Sequence, residues 1–158
     1  MKRKALIFAL AVISSGSLNR TWAATSDTIT ITVSLAQIIS VSVTPNAWNI
    51  GAMVLSGTAG PSSFTATVGN TTTTLEIVGS DGAGGWTLGA TAGLNQFAVA
   101  VSNPALTLTK VYQTLHAGVP VNGSWSFALT YFAPSQDNKG AGLNQSVAIT
   151  LRASTPAP

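Results

Sequence analysis

The chain has no cysteine and a single histidine, and its 158 residues carry only seven basic and four acidic side chains. Each shortage excludes something. Without cysteine there is no disulfide framework and no thiolate metal site, so stability has to come from an apolar core and a strand ladder. A zinc site takes three or four His, Cys or carboxylate ligands, and His116 alone does not supply them. A Ser-His-Asp triad needs a nucleophile and an orienting acid beside the histidine; His116 sits in LHAGVP, read as a loop, and no G-x-S-x-G elbow occurs. The acids are scattered, which leaves no close carboxylate pair for glycoside hydrolysis. Asp81 and Asp137 lie in Gly- and Asn-rich loops without the spaced oxygen ligands of an EF-hand, and they read as solvated turns. Gly79 to Gly85 matches neither a Walker loop nor a dinucleotide fingerprint. No metal, cofactor or catalytic residue is therefore expected, and the chain does not read as an enzyme.

The second shortage is of long apolar runs. There is one, Ala5 to Ile13, preceded by Lys2, Arg3 and Lys4 and followed by Thr21-Trp22-Ala23. It is short for a membrane span and has the layout of a secretory signal with a cut after Ala23. An uncleaved anchor helix is the alternative. Cleavage leaves 135 residues with three basic side chains (Lys110, Lys139, Arg152) against four acidic ones (Asp27, Glu76, Asp81, Asp137), a net charge of −1. The basic isoelectric point thus belongs mostly to the signal segment. Nucleic-acid binding, which needs a basic patch to displace counterions, is not expected. Neither is a transmembrane segment in the mature chain.

What is abundant is serine and threonine, 34 of them after Ala23. Threonine is β-branched and serine competes with the helical backbone, so this composition favours strands. It also leaves few charges to desolvate when surfaces pack against copies of themselves.

The organising stretch is Ser124 to Pro134. Trp125, Phe127, Leu129 and Tyr131 alternate with Ser126, Ala128 and Thr130, which places four large apolar groups on one face of a strand. Similar alternation runs through Thr28–Leu35, Ile39–Val43, Phe64–Val68, Thr73–Val78, Gln96–Ser102, Leu106–Leu108 and Gln145–Arg152, and Ala47–Leu55 reads as an apolar strand interrupted at Gly51. Turn residues separate these runs, and no amphipathic helix appears after the signal. The expected fold is all-β: an Ig-like or jelly-roll antiparallel sandwich of about 8–10 short strands after an N-terminal signal helix. The boundaries are 1–23 for the signal, 24–153 for one sandwich domain and 154–158 for a short tail. Trp86 and Trp125 fall in phase with apolar neighbours and read as core. Trp48 stands beside the Pro45-Asn46 turn.

Two stretches resemble the WxL domain of bacterial cell-surface proteins. GAGGWTL, Gly82 to Leu88, carries Trp86-Thr87-Leu88 after a glycine-rich lead. Ser124 to Pro134, with Trp125, Phe127 and Tyr131, is similar to that family's later aromatic strand ending in Ala-Pro; where the family has a second Trp-x-Leu, this chain has Tyr131 and Ala133. The resemblance implies non-covalent association with the cell wall. More loosely, the chain resembles TasA-like fibre subunits, which polymerise by donating a strand.

The expectation is a non-catalytic exported structural or interaction protein of the cell surface. The alternative is a cell-wall or carbohydrate-binding module with Trp48 or Trp86 as its platform. A secreted hydrolase and an outer-membrane barrel fit less well, the latter because its strands run to about ten residues with aromatic girdles. Expected partners are copies of itself or other surface proteins, with wall polysaccharide under the alternative reading. After a cut at Ala23 no turn residue separates the new terminus from TITITVSL. Ile29, Ile31, Val33 and Leu35 then form a candidate assembly strand that fills a groove in its own sandwich or in a neighbour's. Pairing within one chain is the commoner solution of the two.

Overall fold

The computed structural model describes residues 32–33, 39–139 and 145–155. The chain divides into two compact units, Met1–Ser34 and Leu35–Pro158. Of the first, Thr32 and Val33 are described; they lie outside any strand, and Val33 is 74% exposed. The signal segment, the remainder of the expected strand at Thr28–Leu35 (Ile29, Ile31 and Leu35 among it) and the tail beyond Thr155 lie outside the described residues.

The second unit is all-β, with nine strands and no helix among its described residues: β1 (Val41–Thr44), β2 (Thr58–Val68), β3 (Thr73–Gly79), β4 (Thr87–Leu88), β5 (Gln96–Ser102), β6 (Leu106–Thr107), β7 (Gln113–Val119), β8 (Ser124–Phe132) and β9 (Ile149–Ser154). They form two sheets. One runs β1-β2-β8-β5-β4, with β6 also on β5; the other runs β7-β3-β9. Every strand pair is antiparallel except β4 with β5.

The period-2 pattern explains the packing. Phe127, Leu129 and Tyr131 of β8, Phe64, Ala66 and Val68 of β2, and Phe97, Val99 and Val101 of β5 point inward and are buried. They meet Leu75 and Ile77 of β3 and Leu115 and Val119 of β7 in one core. Phe64 stacks on Phe127 at 5.8 Å between ring centroids and Phe97 on Tyr131 at 5.4 Å, offset arrangements that add to the burial of area. The opposite face of β8 is hydroxyl-rich, and Ser126 pairs across the strands with Thr65, Oγ to Oγ1 at 3.1 Å.

Three expectations about elements need correction. Ala47–Leu55 forms no strand: the Gly51 backbone has φ +76° and its N–H donates to Asn49 Oδ1 at 3.0 Å, which turns the chain locally. His116 is not in a loop; it lies within β7, whose pairing with β3 shifts register twice between Thr73 and Glu76. Trp125 is half-buried, because it is the second residue of β8 and sits near the end of the sandwich.

Candidate assembly groove

Among the described residues the core is closed in its middle and open on one flank. Strands β1 and β9 are edge strands of opposite sheets and lie beside each other. Each pairs on one side only among the described residues, β1 with β2 and β9 with β3. Between them is a groove of about 290 Å³. Its floor is Phe64, Phe127 and Leu129, and its walls are Val41 and Val43 on one side and Val147, Ile149 and Leu151 on the other. Pro45 to Trp48 close one end, with the Trp48 ring edge-on to Phe64 at 6.2 Å. No charged side chain lines the groove.

The walls are apolar yet incompletely covered. Ile77 of β3 and Leu151 of β9 are direct cross-strand partners with the same inward orientation. Ile77 is 0% exposed, whereas Leu151 is half-buried. Leu75 and its partner Ala153 show the same contrast, and Val41 and Val43 of β1 are also half-buried. In a two-layer sandwich the inward side chains of an edge strand are covered by whatever lies beyond that edge. Here nothing described does so.

The remaining candidate residues lie elsewhere. Leu88, Phe127 and Tyr131 are buried in the core, and burial pushes the Tyr131 phenol up to about 12. Trp86 packs against the core from its rim, half-buried. Its indole N–H donates to Asp137 Oδ1 at 3.3 Å, and the same oxygen accepts the Lys139 N–H at 2.8 Å. Trp86 thus ties the glycine loop to the polar loop after β8. Gly84 adds a second tie, donating its N–H to Gln145 Oε1 at 2.9 Å. Asp81 accepts the Leu88 N–H on one oxygen at 2.8 Å and pairs with Lys110 Nζ on the other at 2.7 Å. The Lys110 hydrogen bond, then the Leu88 N–H, hold its carboxyl below the usual range. The glycine loop is therefore pinned at Asp81 by the chain's own groups.

Trp125 stacks on His116 with ring centroids 3.5 Å apart and planes within 9°, and its indole N–H donates to the Asn103 carbonyl at 3.0 Å. Since β7 and β8 belong to different sheets, this pair bridges the two layers. On the outer face of the smaller sheet, Arg152 makes a two-pronged contact with Glu76 at 2.8 and 3.2 Å and lies over the Tyr112 ring at 3.7 Å. The Arg152 hydrogen bond leads the causes that lower the Glu76 carboxyl. Among the described residues no group of three or more His, Cys, Asp or Glu side chains converges on a point where a metal could bind.

Sequence reasoning expected a groove for the strand Thr28–Leu35 without placing it, and named Trp48 with Trp86 as a candidate sugar platform. The one available signal was that Val41, Val43, Val147, Ile149 and Leu151 alternate like core residues in the first and last strands of the sandwich; nothing in that alternation says that the two strands are edges on the same flank. No family model, no curated protein and no solved structure matches the chain.

Proposed function

We propose that the chain is a non-catalytic, exported structural subunit of the cell surface that associates with copies of itself through its N-terminal strand. The observation that carries this reading is the open flank: an uncharged apolar groove between two strands that have no second neighbour among the described residues, in a chain whose segment Thr28–Leu35 alternates aliphatic and hydroxyl side chains. Groove and segment have the same chemistry. Covering four aliphatic side chains at about 1.5–3 kcal/mol each gives a gross stabilisation of roughly 6–12 kcal/mol. Ordering the strand and immobilising a partner offset much of that, so association is expected to depend on concentration. The signal-like layout of residues 1–23 supports export, and the WxL resemblance supports a place at the wall.

Sedimentation velocity of the chain beginning at Ala24, over a wide concentration range, tests the reading. Mass-action growth of oligomers is expected, and their loss on deletion of Ala24 to Leu35 with retention of β-sheet circular dichroism. A full chain that stays monomeric at the highest soluble concentration would count against it.

One observation favours a second reading. Trp48 stands at the end of the groove, and 290 Å³ is close to the lower size of small-molecule sites. Under this reading the chain is a wall-polysaccharide binder with Trp48 as platform. Retention on purified peptidoglycan or polysaccharide at low salt, lost on Trp48→Ala, is its expected result.

A further inference from the structure

The chain contains one Asn-Gly pair, Asn122–Gly123, and the structure accounts for both residues. The pair closes the turn between β7 and β8, where the chain crosses from the smaller sheet to the larger. The Asn122 backbone has φ +53°, a region that glycine and asparagine enter more readily than other residues. Position 123 favours glycine: a Cβ there would stand 2.8 Å from the Pro120 carbonyl oxygen and 2.9 Å from the Pro120 ring. The turn therefore selects a dipeptide whose side-chain amide is open to attack by its own backbone, because glycine leaves the attacking nitrogen unhindered.

We infer that Asn122 is a latent modification site: the closed turn shields it from deamidation, and opening of the turn releases an irreversible change in charge and backbone length. The chemistry needs only water. The Gly123 nitrogen bonds to Cγ of Asn122 and gives up its proton. The Cγ–Nδ2 bond breaks, and the side-chain nitrogen leaves as ammonia with that proton. Water then opens the cyclic imide at either carbonyl and leaves aspartate or isoaspartate at position 122.

Three hydrogen bonds hold the pair out of this reaction. The Gly123 N–H donates to the Pro120 carbonyl at 2.8 Å, so the proton that must leave is engaged. The Asn122 N–H donates to the Gly69 carbonyl at 2.8 Å, and the Gly123 carbonyl accepts the Val68 N–H at 3.0 Å. Both peptide units are thereby fixed against the end of β2. Asn122 itself is exposed, so water reaches it and the shielding comes from the backbone. Solvated turns open locally at a cost well below that of global unfolding, and the reaction reports that opening.

The product does not fit back. Deamidation adds a negative charge, and isoaspartate adds a carbon to the main chain inside the Pro120–Gly123 turn. The hydrogen bonds to Pro120, Gly69 and Val68 cannot all re-form across a longer link. Each opening that ends in reaction leaves a looser connection into the central strand β8. This holds whether the chain assembles or stays single.

The test follows the chain beginning at Ala24 at mildly alkaline pH, folded and in unfolding urea. After trypsin digestion, mass spectrometry locates deamidation in the fragment between Lys110 and Lys139, with Asn138 as the internal reference, and an isoaspartyl methyltransferase assay counts isoaspartate. In urea Asn122 is expected to react well ahead of Asn138. In the folded chain it is expected to react at least about tenfold more slowly than in urea, equivalent to a turn closed by ~1.4 kcal/mol or more. Equal rates in the two states would overturn the shielding, and an unfolded chain in which Asn122 does not lead would overturn the site. Pro120→Ala, which loosens the turn, is expected to speed the reaction with β-sheet circular dichroism unchanged. Where that variant does not fold, urea below the unfolding transition replaces it. Loosening by either route without faster deamidation would contradict the inference. The modified chain, separated by ion exchange, is expected to unfold at lower urea than the unmodified one; equal midpoints would contradict the misfit of the product.

Discussion

Truncating Leu151 to alanine should cost far less than truncating its neighbour Ile77, although the two are cross-strand partners on the same inner face. Each substitution removes three carbons. At about 0.8 kcal/mol per buried methylene the transfer loss is roughly 2.4 kcal/mol where burial is complete. Ile77 is 0% exposed. Its removal leaves an enclosed cavity, and the cavity contribution raises the cost to about 3–5 kcal/mol. Leu151 is half-buried on an open wall. Roughly half the transfer loss remains, and no closed cavity forms, because the vacated space joins the groove and fills with water. The expected cost is about 1–1.5 kcal/mol. The assay is urea unfolding followed by tryptophan emission, at a concentration where the chain is monomeric, with both variants and wild type compared at equal m-value. Above the assembly concentration the cost of Leu151→Ala should rise toward that of Ile77→Ala, since a donated strand would enclose the site. Equal costs for the two variants in the monomer would mean that the flank is already covered, and the groove would lose its role.

Three other substitutions probe the frame. Tyr131 has its ionisation pushed from 10.0 to about 12 by burial. The neutral form is thus favoured in the folded state; its stabilisation is complete below pH 10 and is lost as pH rises from 10 toward 12. Tyr131→Phe should flatten that alkaline loss by about 2–3 kcal/mol in a pH-stability series, and an unchanged slope would mean the ring is not enclosed. Trp125→Ala should cost about 1.5–3 kcal/mol, below the full cost of a buried aromatic because the ring is half-buried; chemical denaturation measures it, and no change would show that the stack with His116 does not join the sheets. Gly60→Ala should destabilise by at least about 1–3 kcal/mol, since its φ of +103° disfavours a side chain and a Cβ would stand 2.6 Å from the Leu129 carbonyl; a melting temperature equal to wild type would contradict the register shift that the β2–β8 pairing makes between Ala59 and Ser62.

The fold was legible where one physical rule governed one segment. In Ser124 to Tyr131 alternation alone sorts Phe127, Leu129 and Tyr131 inward and Ser126 and Thr130 outward, and β8 lies in the middle of its sheet. The reading failed where a local backbone preference competed with composition. Ala47 to Leu55 is apolar enough for a strand, but Asn49 and Gly51 turn the chain. The loop expected at LHAGVP overran β7 because Gly118 reads as a loop residue and sits instead, at φ +71°, in an irregular edge strand. The groove was illegible for a deeper reason. Ile149 and Leu151 have the same pattern as Leu75 and Ile77, and only the strand order reveals that one pair is flanked by a neighbour on each side and the other is not. The alternation of TITITVSL can be read from the sequence, whereas the groove between β1 and β9 is a property of two sheets meeting.

The most direct test of the central claim is a helical reconstruction, by electron cryomicroscopy, of filaments grown from the chain beginning at Ala24. Density for residues 28–35 should lie in the β1–β9 flank of the adjacent subunit. Filaments whose flank is empty, or is filled by the subunit's own strand, would contradict it.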